Sequence, residues 1–150
     1  MKIDELMIDN WVYLVDPKET DPEILKDDWS SPYQVSQIKH DDFDNEIKVD
    51  MFTDWFDESW VQPIPLTEEI LVKNGFEKWL WWKRGGNDVT TYITDGFHIQ
   101  VNKDRTFSLV DNCSDGGDYG FESNWICDIK YIHQLQNLFK LFDIDKKIKL

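Results

Sequence analysis

Cysteine, histidine and glycine are scarce in this chain of 150 residues, with 2, 3 and 7 of each. Two cysteines, Cys113 and Cys127, cannot build the disulfide framework of a small secreted domain, and a reducing cytosol is the expected compartment. No CxxC or HxxxH spacing occurs, so a zinc site drawn from Cys113, Cys127, His40, His98 and His133 lacks its usual signature. No apolar run approaches the length of a membrane-spanning helix. The opening MKIDELMIDNW carries acids where a signal peptide needs an apolar stretch. The serines have no GxSxG elbow, and no GK[ST] follows Gly85-Gly86. With no positioned nucleophile, base or phosphate loop, the chain is expected not to be an enzyme and to need no cofactor or metal.

Basic residues are also few. Sixteen Lys+Arg face 30 Asp+Glu, a net charge of −14. The imbalance is local: residues 1–62 hold five lysines against seventeen acids, while residues 63–150 are nearly balanced. Such a surface opposes a bare phosphate backbone and an anionic membrane. It suits a basic protein, whose capture the acids would accelerate at low salt. Aromatics are abundant (8 Trp, 9 Phe, 5 Tyr), which argues against disorder and for one compact unit.

The chain reads as α+β, rich in antiparallel strands. Residues 11–15, 33–39 and 46–52 alternate or are β-branched and predict a small barrel-like N-terminal sheet. Between the first two, residues 16–32 read as a long acidic loop. In PIPLTEEILVKNGFEK, Thr67 is a good N-cap, Leu66 and Leu71 stand at staple positions, and Gly75 suits a left-handed C-terminal stop, so a short helix is expected over 67–74. A β-meander follows, with strands at 78–83, 89–94, 97–101, 106–110 and 125–129 and a two-residue hairpin at Asp95-Gly96. Alternation puts Phe97, Ile99 and Val101 toward the core and His98 and Gln100 away from it. It also puts Trp79 and Trp81 on one face and Leu80 and Trp82 on the other, one of the two being expected to fill the core, and Cys127 is expected to share a core face with Trp125 and Ile129. Residues 131–142 carry an apolar stripe of Tyr131, Ile132, Leu135, Leu138, Phe139 and Phe142 at helical spacing. That helix should lie on the sheet, with His133, beside Asn137 and Lys140, in solvent. A subdivision is expected at the proline segment, giving an acidic β subdomain over residues 1–62 and a helix–meander–helix subdomain over residues 63–150.

Two patterns compete as functional sites. DNCSDGGDYGFE, residues 111–122, places Asp111, Asp115, Gly116 and Glu122 as a calcium loop would. Its third position is Cys113 and its flanks are strand-like, so it reads as a plain turn. The denser pattern is residues 40–60, where Asp41, Asp42, Asp44, Glu46, Asp50, Asp54, Asp57 and Glu58 are interleaved with large apolar residues including Trp55 and Trp60. Aromatic anchors ringed by charge are a common way to build a protein interface.

PIPLTEEILVKNGFEK and YIHQLQNLFKLF, with the opening LMIDNWVYL, resemble segments of short proteins from phages and prophages of Bacteroidota. That family's usual glycine before Asn10 is here Asp9, and the acidic 16–60 region is expanded. The resemblance implies a mobile-element origin, the cytoplasm of a bacterial host and a similar fold, and it brings no catalytic residues. In charge, small acidic phage proteins are similar to inhibitors that occupy the basic channel of a host defence protein, of which anti-CRISPR proteins are the best-known class. The expected function is therefore non-enzymatic inhibition of a basic, nucleic-acid-handling protein such as a CRISPR effector nuclease. The competing readings are a phage accessory or structural protein, and a small metal-dependent enzyme built on residues 111–122.

Overall fold

The computed structural model describes residues 2, 5–15, 31–40, 45–81, 89–94, 96–115 and 121–150, with backbone only at 112–115 and 121–122. Among the described residues the strands are antiparallel and form two five-stranded sheets, accompanied by two α-helices, as an α+β chain. No described helix is long and apolar enough to cross a membrane.

The chain divides into two units. The first comprises residues 1–65 and 131–147, the second residues 66–130 and 148–150. The sequence suggests a break at 62/63 with the last helix in the second subdomain. By contacts, that helix instead groups with the N-terminal sheet.

In the first unit the strands are β1 (Trp11–Leu14), β2 (Tyr33–His40), β3 (Asn45–Val49), β4 (Phe56–Asp57) and β5 (Val61–Pro63). Their order is β4-β3-β2-β1-β5. The outermost strands, β4 and β5, are linked only by a 3-10 turn at Glu58–Trp60. Five flat strands would put those edges about 19 Å apart. A 3-10 turn rises only about 2 Å per residue. The sheet must therefore curl until its edges approach, which gives the expected barrel-like form. Its interior holds Leu6, Val12, Leu14, Val35, Ile47, Val49 and Val61, with Tyr33, Ile38, Phe52 and Phe56 against them.

The terminal helix, Ile132–Leu141, grips the segment before β1 through amides. Gln136 accepts from the Trp11 N–H at 2.9 Å and donates to the Asp9 carbonyl at 3.0 Å. Asn137 accepts from Asn10 Nδ2 at 3.0 Å and donates to the Glu5 carbonyl at 2.9 Å. Asn10, fully buried, also accepts from the Met7 N–H at 2.7 Å. This grip overturns the expected helix face. His133 is fully buried, and Phe142, expected in the stripe, is 55% exposed. Ile132, Leu135 and Phe139 are buried as read.

The second unit begins with the helix Glu68–Lys73. The Thr67 hydroxyl accepts from the Ile70 N–H, Leu66 and Leu71 are buried, and Gly75 takes φ +77°. Two bonds close the helix, Phe76 N–H to Leu71 O and Gly75 N–H to Val72 O, the pair that defines a Schellman stop. The sheet that follows is a meander: β6 (Glu77–Trp81), β7 (Val89–Thr94), β8 (Phe97–Val101), β9 (Phe107–Asp115) and β10 (Phe121–Ile129), in sequential order across the sheet. Gly96, at φ +81°, turns β7 into β8 with Thr94 opposite Phe97. Tyr92, Phe97, Ile99, Phe107, Leu109 and Ile129 are buried on one face. Tyr92 donates its hydroxyl proton to Glu68, which ties the short helix to that face.

Two aromatic expectations fail here. On the edge strand β6, Trp79 (48% exposed) and Leu80 (69%) both reach solvent, Trp81 is half-buried, and Trp82 lies outside the described residues. Trp125 does not share a face with Cys127, because a bulge shifts the register between them. Trp125 lies opposite Val110 and Cys127 opposite Leu109.

Candidate functional site

The surface read from the sequence falls on β3, β4 and the turns that join them to β5. Asp41, Asp42 and Asp44 lie outside the described residues. Glu46 is on β3 and Asp57 on β4, directly opposite one another. Lys39 of β2 is the next residue in that row and pairs with Glu46 at 3.5 Å. Like charges facing each other across a strand pair are unfavourable. Lys39 pairs with Glu46, and Asp57 lies on the other side of Glu46 in the row.

Beyond β3 the chain turns at Asp50 and Met51. Met51 takes φ +74° and is 94% exposed. A left-handed conformation costs a residue with a side chain about 1–2 kcal/mol. The fold thus holds a long apolar side chain in solvent at a strained turn, where glycine or asparagine would be easier. Asp54 and Trp55 follow, both exposed, Trp55 at 40%. Asp57 caps the 3-10 turn by accepting from the Ser59 N–H at 2.9 Å. That bond, with a second from the Ser59 side chain, holds the Asp57 carboxyl below the usual range and keeps it ionised.

The aromatics interleaved with these acids sort into two sets. Tyr33, Phe52 and Phe56 stack edge-to-face at 5.3 and 5.4 Å and lie against the core. Trp60 continues this row, 5.9 Å from Phe56, and is half-buried like Glu58 beside it. Trp55 and Met51 are left on the outside. Of the two tryptophans expected as anchors, Trp55 is the exposed one, while Trp60 is the outer end of a structural aromatic row. Sequence reasoning misses Met51 as an anchor, because methionine in a strand-like run reads as core.

The rival sites are dispersed. The calcium-like string 111–122 runs from β9 into β10, and most of its side chains lie outside the described residues. His40 is occupied by Asn45 at 2.6 Å, and His133 is enclosed in the core of the first unit. Burial pushes the Cys127 thiol upward, away from the thiolate form that binds metal or attacks. Among the described residues no group of three or more His, Cys, Asp or Glu comes together to hold a metal ion.

Comparison with known proteins returns no match, whether to a family model, a curated protein or a solved structure.

Proposed function

We propose that this protein is a non-catalytic inhibitor that captures a basic, nucleic-acid-handling protein, of the RNA-guided nuclease kind, through the surface built on β3, β4 and their turns. The observation that carries the reading is the exposure of Met51 and Trp55 among Asp50, Asp54 and Asp57. Two apolar side chains would seat in pockets of the partner. The carboxylates around them would meet lysines and arginines that otherwise hold nucleic acid. The facing pair Glu46 and Asp57 supports the reading, since a partner's cation between them would relieve their repulsion.

The test starts from affinity capture in extracts of a bacterial host, after which the captured protein is purified. Its nucleic-acid binding and cleavage are then measured with and without this chain. Reversing Asp50, Asp54 and Asp57 to Lys should slow association by about tenfold or more at low salt and relieve inhibition, with the difference shrinking as salt rises. Trp55→Ala should instead speed dissociation, a loss of about 2 kcal/mol. Unchanged inhibition and association in the triple variant at low salt would reduce this surface to a solubility feature.

A further inference from the structure

The two edges of the second sheet are built differently. At one edge β10 slips register twice against β9, between Glu122 and Asn124 and between Trp125 and Cys127. Bulges bend a strand and increase its twist, which keeps an edge from pairing with another chain. At the other edge β6 has no such protection. Its five residues pair with β7 in unbroken register, from Glu77 opposite Ile93 to Trp81 opposite Val89, and the strand contains no proline. An edge lysine is another common guard. Here Lys78 is drawn back to its own chain, with Nζ 3.2 Å from Glu68 and 5.7 Å from the centre of the Tyr92 ring. Among the described residues β6 has no neighbouring strand but β7.

β6 is also exposed on both of its faces. Trp79, opposite Thr91, and Leu80, opposite Thr90, project to opposite sides of the sheet, and both are exposed. Glu77 and Lys78 are exposed as well. A helix or loop packed on the sheet would cover one of these faces and leave the other wet. A strand laid along the edge covers both, because its side chains alternate in step with those of β6. It also takes up the backbone N–H and C=O groups of β6 that do not turn toward β7.

We infer that this edge is a homodimer interface, at which β6 of one copy pairs antiparallel with β6 of a second and joins the two sheets into one. Two-fold, self-complementary contacts are the commonest way in which soluble chains associate. A two-fold axis at Trp79 is the antiparallel arrangement that pairs all five residues: Trp79 faces its own image, Lys78 faces Leu80, and Glu77 faces Trp81. No like charges stand opposite one another. Each Leu80 receives the aliphatic stem of a Lys78. Trp79 and Trp81, stacked within one chain at 5.9 Å and 23°, continue into the same pair of the second copy, and aromatic pairs across strands are favourable.

Charge points to the same part of the chain. Residues 1–62, with five lysines against seventeen acids, repel a copy of themselves, whereas β6 lies in the nearly balanced remainder. Repulsion between chains of net charge −14 still opposes the pair. The contact of five residues a side is small beside the about 20–30 of a stable complex. The dimer is therefore weak, with a dissociation constant between about 10 μM and 1 mM.

The test follows the full chain by sedimentation equilibrium across that range. Monomer should give way to dimer, and the dimer should tighten severalfold as salt is raised, because screening removes the repulsion between acidic chains. Capture of a basic partner responds to salt in the opposite direction, so the two associations are told apart. Leu80→Lys sets a cation opposite Lys78 of the second copy and should weaken the dimer about tenfold or more, although it lowers the net negative charge. Leu80→Glu removes the same apolar side chain but sets opposite charges face to face, and should weaken it less. Cross-linking reads the register, in a chain carrying Cys113→Ser and Cys127→Ser. On mild oxidation Trp79→Cys should close a disulfide across the axis, since directly opposed Cβ atoms lie about 5 Å apart. Leu80→Cys, diagonal to its image at about 7–8 Å, should close one at least tenfold more slowly. Both positions are exposed, and unmoved amides of the buried Tyr92 and Ile99 confirm the fold. A chain that stays monomeric to about 1 mM leaves this edge to a strand of another protein and overturns the inference. So do a dimer indifferent to Leu80→Lys, equal or reversed losses from Leu80→Lys and Leu80→Glu, and cross-linking that proceeds equally through Trp79→Cys and Leu80→Cys.

Discussion

His133 offers the sharpest test of how the first unit is held together. It is fully buried, stacked on Tyr131 with ring centres 5.7 Å apart, and neither ring nitrogen has a hydrogen-bond partner. The Glu5 carboxylate lies 3.9 Å from Nε2, beyond hydrogen-bonding distance. Burial, with a smaller push from the positive charge of the N-terminus, brings the imidazole down to about 4. In the folded chain the ring therefore stays neutral until the pH falls to about 4, whereas in the unfolded chain it takes a proton near 6.5. Stability from this source is complete above pH 6.5 and drains away as the pH falls toward 4, because the unfolded state binds the proton first. Between about pH 7.5 and 5.0 the first unit should lose about 2 kcal/mol through this one residue. Replacing it with leucine removes the titration and two unsatisfied polar atoms together. His133→Leu should raise stability at neutral pH by about 1–3 kcal/mol and flatten the profile. Urea unfolding read on the amides of Val12, Ile47 and Leu135 isolates the first unit. Carboxylates titrate alike in both proteins and cancel in the comparison. An equal loss of stability on acidification in wild type and His133→Leu would refute the argument.

Other perturbations test separate parts of the fold. Asn10→Ala strands the Met7 N–H and the Asn137 oxygen and should destabilise the first unit by about 2–3 kcal/mol in the same urea assay. Asp143 holds the left-handed position after the terminal helix at φ 55°, so Asp143→Gly should stabilise by about 0.5–1 kcal/mol, seen as a higher urea midpoint. Thr67→Ala removes a cap from a helix of six residues and should cost about 1 kcal/mol, read as faster amide exchange at Ile70 and Leu71.

The helix at Glu68–Lys73 is legible in the sequence because all its signals are local: a capping hydroxyl, a staple pair, and a glycine where the chain must turn left-handed. The terminal helix is legible almost to the residue, yet its buried surface is not. A periodicity argument assumes one apolar stripe against one neighbour. This helix is held on a second side by the segment Glu5–Trp11, through amides instead of apolar atoms. A trace of that grip is in the sequence, since the polar positions 134, 136 and 137 are Gln, Gln and Asn and not Lys or Glu. The strands β4 and β5, of two and three residues, are too short to show a period. Alternation puts Trp125 on the wrong face because a bulge inserts a residue and nothing in WICDI announces it. In the acidic stretch the charge is plain from composition. Which aromatic faces water depends on the stacking of Tyr33, Phe52, Phe56 and Trp60, which only the three-dimensional arrangement supplies.

The path of the chain between the units makes one more prediction. The first unit is interrupted after Pro65 and resumes at Tyr131, and these two residues are antiparallel bridge partners. The Ile132 N–H donates to the Ile64 carbonyl on one side of the bridge, and the Leu66 N–H donates to the Lys130 carbonyl on the other, both at 2.9 Å. The chain therefore leaves and re-enters through the stem of a hairpin, and everything from 67 to 129 stands as an insertion at its tip. Bridge partners in an antiparallel pair sit about 5 Å apart, a gap that a two-residue turn can close. Replacing residues 67–129 with Asn-Gly and ending the chain after Lys147 should leave a protein that folds on its own. Its apolar interior, from Leu6 to Val61, and the Asn10–Gln136–Asn137 network come entirely from the retained residues. A dispersed amide spectrum and cooperative urea unfolding are the expected results, and an uncooperative transition would show that the first unit depends on its insertion. The same shortened protein also tests the proposed binding surface. It keeps Met51, Trp55 and the carboxylates around them, so it should still inhibit the basic partner.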